Sequence, residues 1–219
     1  MKKYSIILSF IMLLAVAAPS SAYNYDTISA LGNGGYTSPY TSNIFTFDAA
    51  LPSGWTLTGN YETRTGSISD AAAPWYDNGS GGARDLTKYL TVPLNVDQLP
   101  QSATMSFGAS ANNYFGLWWG SMDTYNTLDF LAADLTTAVA TVYGTTFSSG
   151  NGNQDSSLTN KYVNFYGMPD FYGVRITSTN YAFELDNIAV GYNVVPEPLT
   201  VILLGSGLLG LLGLRRKLS

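Results

Sequence analysis

Two carboxylates near the end of the chain have a spacing that hydrolytic chemistry could use. Glu184 and Asp186 stand two residues apart in the segment YAFELDNIAV, so on a β-strand their side chains share one face. Glycosidases cleave sugar bonds with two carboxyl groups about 5 to 9 Å apart. No groove-forming pattern accompanies this pair, and solubility or cation binding explains it better. We therefore expect a protein that is not an enzyme, with a weak polysaccharide hydrolase as the alternative.

Two adjacent tryptophans, Trp118 and Trp119, give the most specific binding hypothesis. Neighbouring residues of a strand point to opposite faces, so one ring can lie in the core while the other is exposed. Exposed Trp and Tyr rings stack on the apolar C–H faces of sugars. The pair is therefore a candidate carbohydrate site; the alternative is that both rings lie in the core or under a loop.

The chain contains neither histidine nor cysteine. The usual serine and cysteine triads, the His and Cys zinc sites and the commonest haem and iron–sulfur ligands therefore have no candidates. Without disulfides, an exported protein is stabilised by packing alone or by packing and a bound cation. Structural calcium is the one cofactor that the sequence suggests.

Charge is distributed unevenly along the chain, which has ten basic and fifteen acidic residues. Half of the basic residues lie at the two ends, and residues 23–195 keep five basic and fourteen acidic ones, a net charge of −9. A nucleic-acid binder concentrates cations on its binding face. We therefore expect no nucleic-acid partner. The terminal cations are Lys2, Lys3, Arg215, Arg216 and Lys217.

The first residues have the pattern of a secretory signal peptide. A basic start precedes an apolar run over residues 6–18, which is too short to span a bilayer core of about 30 Å comfortably. Small residues, Ser20 and Ala22, stand three and one positions before a possible cut. The sequence predicts a signal peptide over residues 1–22, with a signal helix and cleavage after Ala22.

The body that follows is rich in residues typical of strands and turns. Gly, Ser, Thr, Asn, Tyr and Phe dominate it, whereas the long-chain helix formers Lys and Glu are scarce. Short apolar or alternating runs recur between turn clusters, which indicates an all-β fold, an antiparallel β-sandwich over residues 23–193. The predicted strand regions are 43–48, 85–94, 103–109, 114–119, 128–132, 138–147, 162–166, 172–178 and 181–192.

The last strand region carries a change of apolar phase. Tyr181, Phe183 and Leu185 fall on one face, and the pattern then continues at residues 188, 190 and 192. A slip of one residue in a period of two indicates either a β-bulge or a strand covered on both faces. The polar pair Asp186 and Asn187 at the slip favours the bulge.

The C-terminal segment, VVPEPLTVILLGSGLLGLLGLRRKLS, has three parts. Pro196 and Pro198 keep Glu197 in extended, accessible chain. The uncharged stretch 199–214 would measure about 24 Å as a helix, and Arg215 and Arg216 can hold its end on the cytoplasmic side. We expect a C-terminal transmembrane helix that anchors the exported body until a processing enzyme cuts the chain.

These three parts resemble the PEP-CTERM sorting signal of Gram-negative bacteria. The resemblance implies recognition by an exosortase, a membrane-embedded transpeptidase. It also implies cleavage near Pro196 to Pro198 and delivery of the body to the cell surface or the exopolysaccharide matrix. Such tails are attached to diverse bodies, so the tail specifies an address and not an activity.

Three stretches of the body resemble exosortase-dependent surface proteins whose bodies are similar to carbohydrate-binding-module jelly rolls. They are FDAALPSGWTLTG from Phe47, YFGLWWGSMDTYNTLDF from Tyr114, and YAFELDNIAV from Tyr181. The resemblance implies a jelly-roll-like sandwich and contains no catalytic signature.

The resemblance also bears on calcium, which takes oxygen ligands only. If the chain ends pair, as in related jelly rolls, Asp48 near the first core strand and Glu184 or Asp186 near the last are candidate calcium ligands. Solvated surface carboxylates are the alternative. Residues 151–155 have the opening spacing of an EF-hand loop, but Ser156 replaces the required glycine. We therefore reject an EF-hand.

These observations predict three segments: a signal peptide over residues 1–22, a β-sandwich over 23–193 and a sorting and anchor segment over 194–219. The expected role is that of an exported, non-catalytic component of the cell surface or exopolysaccharide matrix, associated with a glycan or purely structural. The expected partners are an exosortase, the inner membrane before processing and extracellular polysaccharide.

Overall fold

The computed structural model describes residues 24–29, 38, 40, 41, 43–93, 101–147 and 150–193. These residues form strands joined by turns, with one short 3-10 turn at Gly144–Thr146. The strands are β1 (Asn24–Ser29), β2 (Ile44–Phe45), β3 (Thr56–Gly59), β4 (Glu62–Thr65), β5 (Trp75–Tyr76), β6 (Ala83–Arg84), β7 (Lys88–Val92), β8 (Gln101–Ser106), β9 (Asn112–Gly120), β10 (Asn126–Leu131), β11 (Ala138–Tyr143), β12 (Lys161–Phe171), β13 (Gly173–Ser178) and β14 (Phe183–Gly191).

Two antiparallel sheets make up the sandwich. The larger has seven strands in the order β1-β12-β9-β14-β7-β4, with β2 paired to β14; the smaller has the order β11-β10-β13-β8-β3. Strands β5 and β6 form a separate hairpin, whose turn is the DNGSGG loop. The predicted all-β antiparallel sandwich is confirmed.

The main core lies between the two sheets and is largely aromatic. Phe130 of the smaller sheet meets Phe115 and Phe165 of the larger at ring-centroid distances of 5.7 and 5.2 Å, edge to face in both cases. Trp119 stacks on Phe183 at 4.4 Å with an interplanar angle of 9°. Burial of such rings is a dominant contribution to core stability.

Strand β14 shows the predicted bulge. Its register against β9 shifts between Asp186 and Ala189, and Asn187 has a φ of 52°, in the left-handed region. The alternative interpretation also holds, because all residues from Phe183 to Ala189 are buried. The residues of β14 that precede the bulge pair with β7, and those that follow it pair with β2.

Nine of the strands lie within or overlap the predicted strand regions, and five were not predicted. Strand β1 and the short strands β3 to β6 lie in turn-rich sequence without a clear alternation of apolar residues. The predicted signal helix and C-terminal transmembrane helix lie outside the described residues. Among the residues that are described, no helix has the length and apolarity needed to cross a membrane.

The core predicts a sharp contrast between two aromatic positions. Replacing the fully buried Trp119 by alanine is expected to lower the free energy of unfolding by about 3–5 kcal/mol, because it removes the stacking on Phe183 and leaves a cavity. Urea unfolding of residues 23–193 measures this change. Tyr143→Ala, at a side chain 54% exposed, is the control and should change stability by less than about 0.5 kcal/mol. Equal losses of stability in the Trp119→Ala and Tyr143→Ala proteins would contradict the placement of Trp119 in the core.

Candidate functional site

Part of the outer face of the larger sheet, around Trp118, Tyr162 and Tyr89, is covered by the segment of residues 69–85, called here the cover segment. Tyr76 of this segment packs on Trp118 and Tyr162, and its ring centroid lies 6.2 Å from that of Trp118. Ala71 and Ala73 pack against Tyr89 of β7. This part of the outer face is therefore a second, smaller core and not a solvent-exposed surface.

The two adjacent tryptophans are both fully buried. As the alternation predicts, they lie on opposite faces, Trp119 in the main core and Trp118 under the cover segment. The expectation that one ring is exposed is wrong, because the cover segment encloses the outer face. Neither indole therefore offers a face on which a sugar could stack.

Glu184 is buried between the sheet and the cover segment, with 1% of its surface exposed. Its Oε1 accepts a hydrogen bond from the backbone N–H of Ala72 at 2.9 Å, and its Oε2 accepts one from the Ser121 hydroxyl at 2.6 Å. Burial raises the pKa of the Glu184 carboxyl to about 7, although these two donors partly oppose the shift. Glu184 thus holds the cover segment to the sheet.

Asp186 lies on the same face as Glu184, beside the bulge, and faces Asp85 of the cover segment. It is 1% exposed, and neither of its carboxylate oxygens has a partner in full hydrogen-bond geometry, although the backbone N–H groups of Asn187 and Phe47 lie near the carboxylate. Asp85 is 2% exposed; its Oδ1 accepts bonds from the backbone N–H and hydroxyl of Thr87, while its Oδ2 has no partner. Burial raises the pKa of Asp186 to about 8; the backbone N–H groups of Asn187 and Phe47 oppose this shift, and Asp85 adds to it.

A buried pair of carboxyl groups with unpaired oxygens must take up a proton or a cation, since two bare charges cannot remain desolvated side by side. The donor set consists of oxygens only, which suits calcium. Asp48 is exposed, and its Oδ1 accepts the backbone N–H of Lys88 at 3.0 Å. No group of three or more acidic side chains within the described residues is close enough to hold a metal, so backbone carbonyls or water would have to complete a site at Asp85 and Asp186.

The structure thus separates the predicted site residues. Glu184 and Asp186 share a face but contact different partners, and Asp48 is involved in the turn before β7. A small polar pocket of about 60 Å³ borders Glu184 and Asp123. Pockets that bind small molecules measure about 300–1,000 Å³, so this one accommodates water molecules and not a sugar ring.

Two features of the site were not found from the sequence. Asp85 lies where a glycine-rich loop meets the predicted strand region 85–94, and no sequence pattern connects it with Asp186. The second feature is an apolar groove of about 530 Å³ between β2, β14 and the loop after β2. Trp55, a half-buried indole, lines this groove and meets Phe107 edge to face at 4.8 Å. The groove is lined by Asn43, Ile44, Phe45, Ala49, Ala50, Pro52, Trp55 and Val190.

The predicted sorting residues lie outside the described residues; they are Ala22, Pro196, Glu197, Pro198, Arg215 and Arg216. Comparison with family models finds the PEP-CTERM protein-sorting motif at residues 194–217. The prediction of this motif is confirmed, and the motif indicates exosortase-dependent sorting of an exported surface protein. No curated protein and no solved structure matches the chain.

The Asp85–Asp186 pair predicts an unusual pH dependence in the absence of divalent cations. A carboxyl group whose folded-state pKa is raised stabilises the fold below its unfolded pKa, and this contribution is lost as the pH rises through the folded value. For Asp186 the loss extends from pH 3.8 to about 8. Asp186→Asn should therefore raise the melting temperature at pH 8 by several degrees and leave it nearly unchanged at pH 4.

Thermal unfolding in a chelating buffer measures this effect. Asp170→Asn, at an exposed carboxylate, is the matched control and should melt like the wild type at both pH values. An Asp186→Asn protein that loses stability at pH 8 would show that the ionised carboxylate is required there.

Proposed function

We propose that the chain is an exported, non-catalytic component of the cell surface or exopolysaccharide matrix of a Gram-negative bacterium, delivered there by an exosortase. The observation that carries this proposal is the sorting motif at residues 194–217. In its sequence, a proline-flanked glutamate precedes an uncharged stretch and then three cations. This arrangement suits an anchor that holds a cut site just outside the inner membrane.

A non-catalytic role for the body is supported by the way its acidic side chains are placed. Glu184 and Asp186 are enclosed by the cover segment, and the pocket beside Glu184 is too small for a sugar. The two carboxyl groups therefore support the packing of the body rather than bond cleavage. An activity screen on the producer's polysaccharide with both residues replaced by alanine would test the hydrolase alternative.

Between the two non-catalytic roles, the geometry favours a structural matrix protein over a glycan-binding module. Glycan association was predicted from Trp118 and Trp119, and both rings are enclosed. Co-sedimentation of residues 23–193 with the producer's own polysaccharide separates the two roles. Saturable binding at low protein concentration would favour the glycan-associated role.

Structural calcium is a second proposal, favoured by the unpaired oxygens of Asp85 and Asp186. A cation there would compensate both buried charges and fix the cover segment to β14 at neutral pH. It would stabilise an exported domain that has no cysteine available for disulfides.

The sorting proposal predicts where the chain is cut and where it stays. In the producer, the released body should end before Leu199, whereas in a strain without the exosortase the anchored chain should remain in the membrane fraction. Mass spectrometry of both fractions measures the C-terminus. Glu197→Ala, which leaves the apolar stretch and the cations intact, should also stay anchored. A released form that retains residues 215–219 would contradict the proposal.

The calcium proposal predicts that millimolar calcium at pH 8 raises the melting temperature of the body by several degrees, since a ligand that binds only the folded state stabilises it. Asp85→Asn and Asp186→Asn should each abolish this increase. Magnesium at the same concentration controls for ionic strength. Equal stabilisation of the wild type and both variants would place the calcium effect elsewhere.

A further inference from the structure

Both ends of the described body lie at one end of the larger sheet. The register of the strands aligns Asn24 with Tyr166, Tyr166 with Tyr114, and Tyr114 with Gly191. These four residues form one row across β1, β12, β9 and β14. With strands about 4.8 Å apart, the first residue of β1 and the last of β14 are separated by about 14 Å.

This end of the sandwich, called here the foot, is formed by loops of both sheets. Strand β13 starts at Gly173, directly after β12 ends, and pairs with Ser106 of β8 and Leu131 of β10. The foot therefore consists of residues 49–55, 107–111, 132–137, 167–172 and 191–193, which are loops together with the end of β12 and the last residue of β14. Asn193 is fixed there, because its backbone N–H donates to Asn113 Oδ1 at 2.7 Å.

The chain leaves the foot on a short connection to its sorting motif. Only Val194 and Val195 separate Asn193 from Pro196, and three residue steps span at most about 11 Å. Glu197 is one step further, so an enzyme that grips it must approach the foot to within about 14 Å. The opposite end of the body is too far from Glu197 to face the enzyme in the same way.

The apolar groove lies at the foot. It is lined by Val190, one residue before the row that contains Gly191, and by the loop that carries Ala50, Pro52 and Trp55. Apart from the indole N–H of Trp55, Asn43 carries the only polar side-chain group among the described residues that line it. Hydroxyl groups of a sugar would lose water there without gaining comparable hydrogen bonds, so the groove suits an apolar protein surface better than a glycan.

The charges of the foot distinguish an enzyme from the lipid surface. The foot contains two exposed carboxylates, Asp134 and Asp170, and no Lys or Arg. An anionic lipid surface would repel them, whereas a protein can place cations opposite each one. The occupant favoured by apolarity and charge is therefore a protein with apolar and basic side chains at the membrane surface.

We propose that the foot, through its apolar groove, is the docking surface of the folded body for the membrane-embedded exosortase that cuts the tail. This inference rests on the proposed function. The enzyme then recognises two features of one substrate, the motif and the adjacent face of the body. The body's contact increases the local concentration of the motif at the enzyme.

The test is a pulse–chase of the full-length chain in cells that contain the exosortase, with conversion of the anchored to the cut form as the measured rate. Ala50→Glu places a charge at the groove on an exposed side chain and removes no core atom. It should slow conversion about tenfold, a loss of about 1.4 kcal/mol of contact energy. Leu158→Glu is the matched control, 69% exposed and near the start of β12 at the opposite end, and should be cut at the wild-type rate.

Three outcomes would overturn the inference. If the Ala50→Glu protein is cut as fast as the wild type, the groove is not a docking surface for the enzyme. If the Ala50→Glu protein is cut at the wild-type rate but its cut body no longer binds membrane vesicles, the groove binds lipid and not the enzyme. A wild type that stays uncut in the presence of the exosortase would defeat the proposed function itself, and this inference with it. Matching melting temperatures of the two variants confirm that the comparison reports docking.

Discussion

Strand β14 is enclosed on both faces from Phe183 to Ala189, and this double burial is the constraint on which the rest of the body depends. Because side chains of a strand alternate, the face opposite the aromatic core must be buried as well. In this chain that face carries Glu184 and Asp186. When a segment covers β14, these two carboxyl groups must therefore accept hydrogen bonds from it, take up a proton or be paired with a cation.

The cover segment meets this requirement unequally. Near Glu184 it supplies a backbone N–H, that of Ala72, and the sheet supplies the Ser121 hydroxyl. Near Asp186 it supplies another carboxylate, Asp85, whose own Oδ2 has no partner. This segment packs partly through small alanine side chains, which bury little apolar area. Its polar contacts therefore contribute a large part of the free energy that holds it on the sheet. Ionisation of Asp186 without a cation would thus loosen the cover segment while the aromatic core between the sheets stays packed.

Sequence reasoning succeeded where the pattern was local. The slip of apolar phase at Asp186 and Asn187 identified the bulge, because a bulge shifts the alternation within a single strand. It failed where the outcome depended on distant segments. The burial of Trp118 results from a cover segment some forty residues earlier, and the partnership of Asp85 with Asp186 joins residues about a hundred positions apart. Neither leaves a periodic signal, since long-range packing and not local spacing brings these side chains together.

The topology also fixes when the body can be completed. Strand β14 is an interior strand, paired with β9 on one side and with β7 and β2 on the other, and it ends at Gly191, shortly before the sorting motif. The larger sheet cannot close until these last residues have been exported. At that moment the apolar stretch of the tail follows directly behind them. Under the proposed sorting, completion of the sheet and anchoring of the chain coincide, so the exosortase meets a body whose larger sheet is complete.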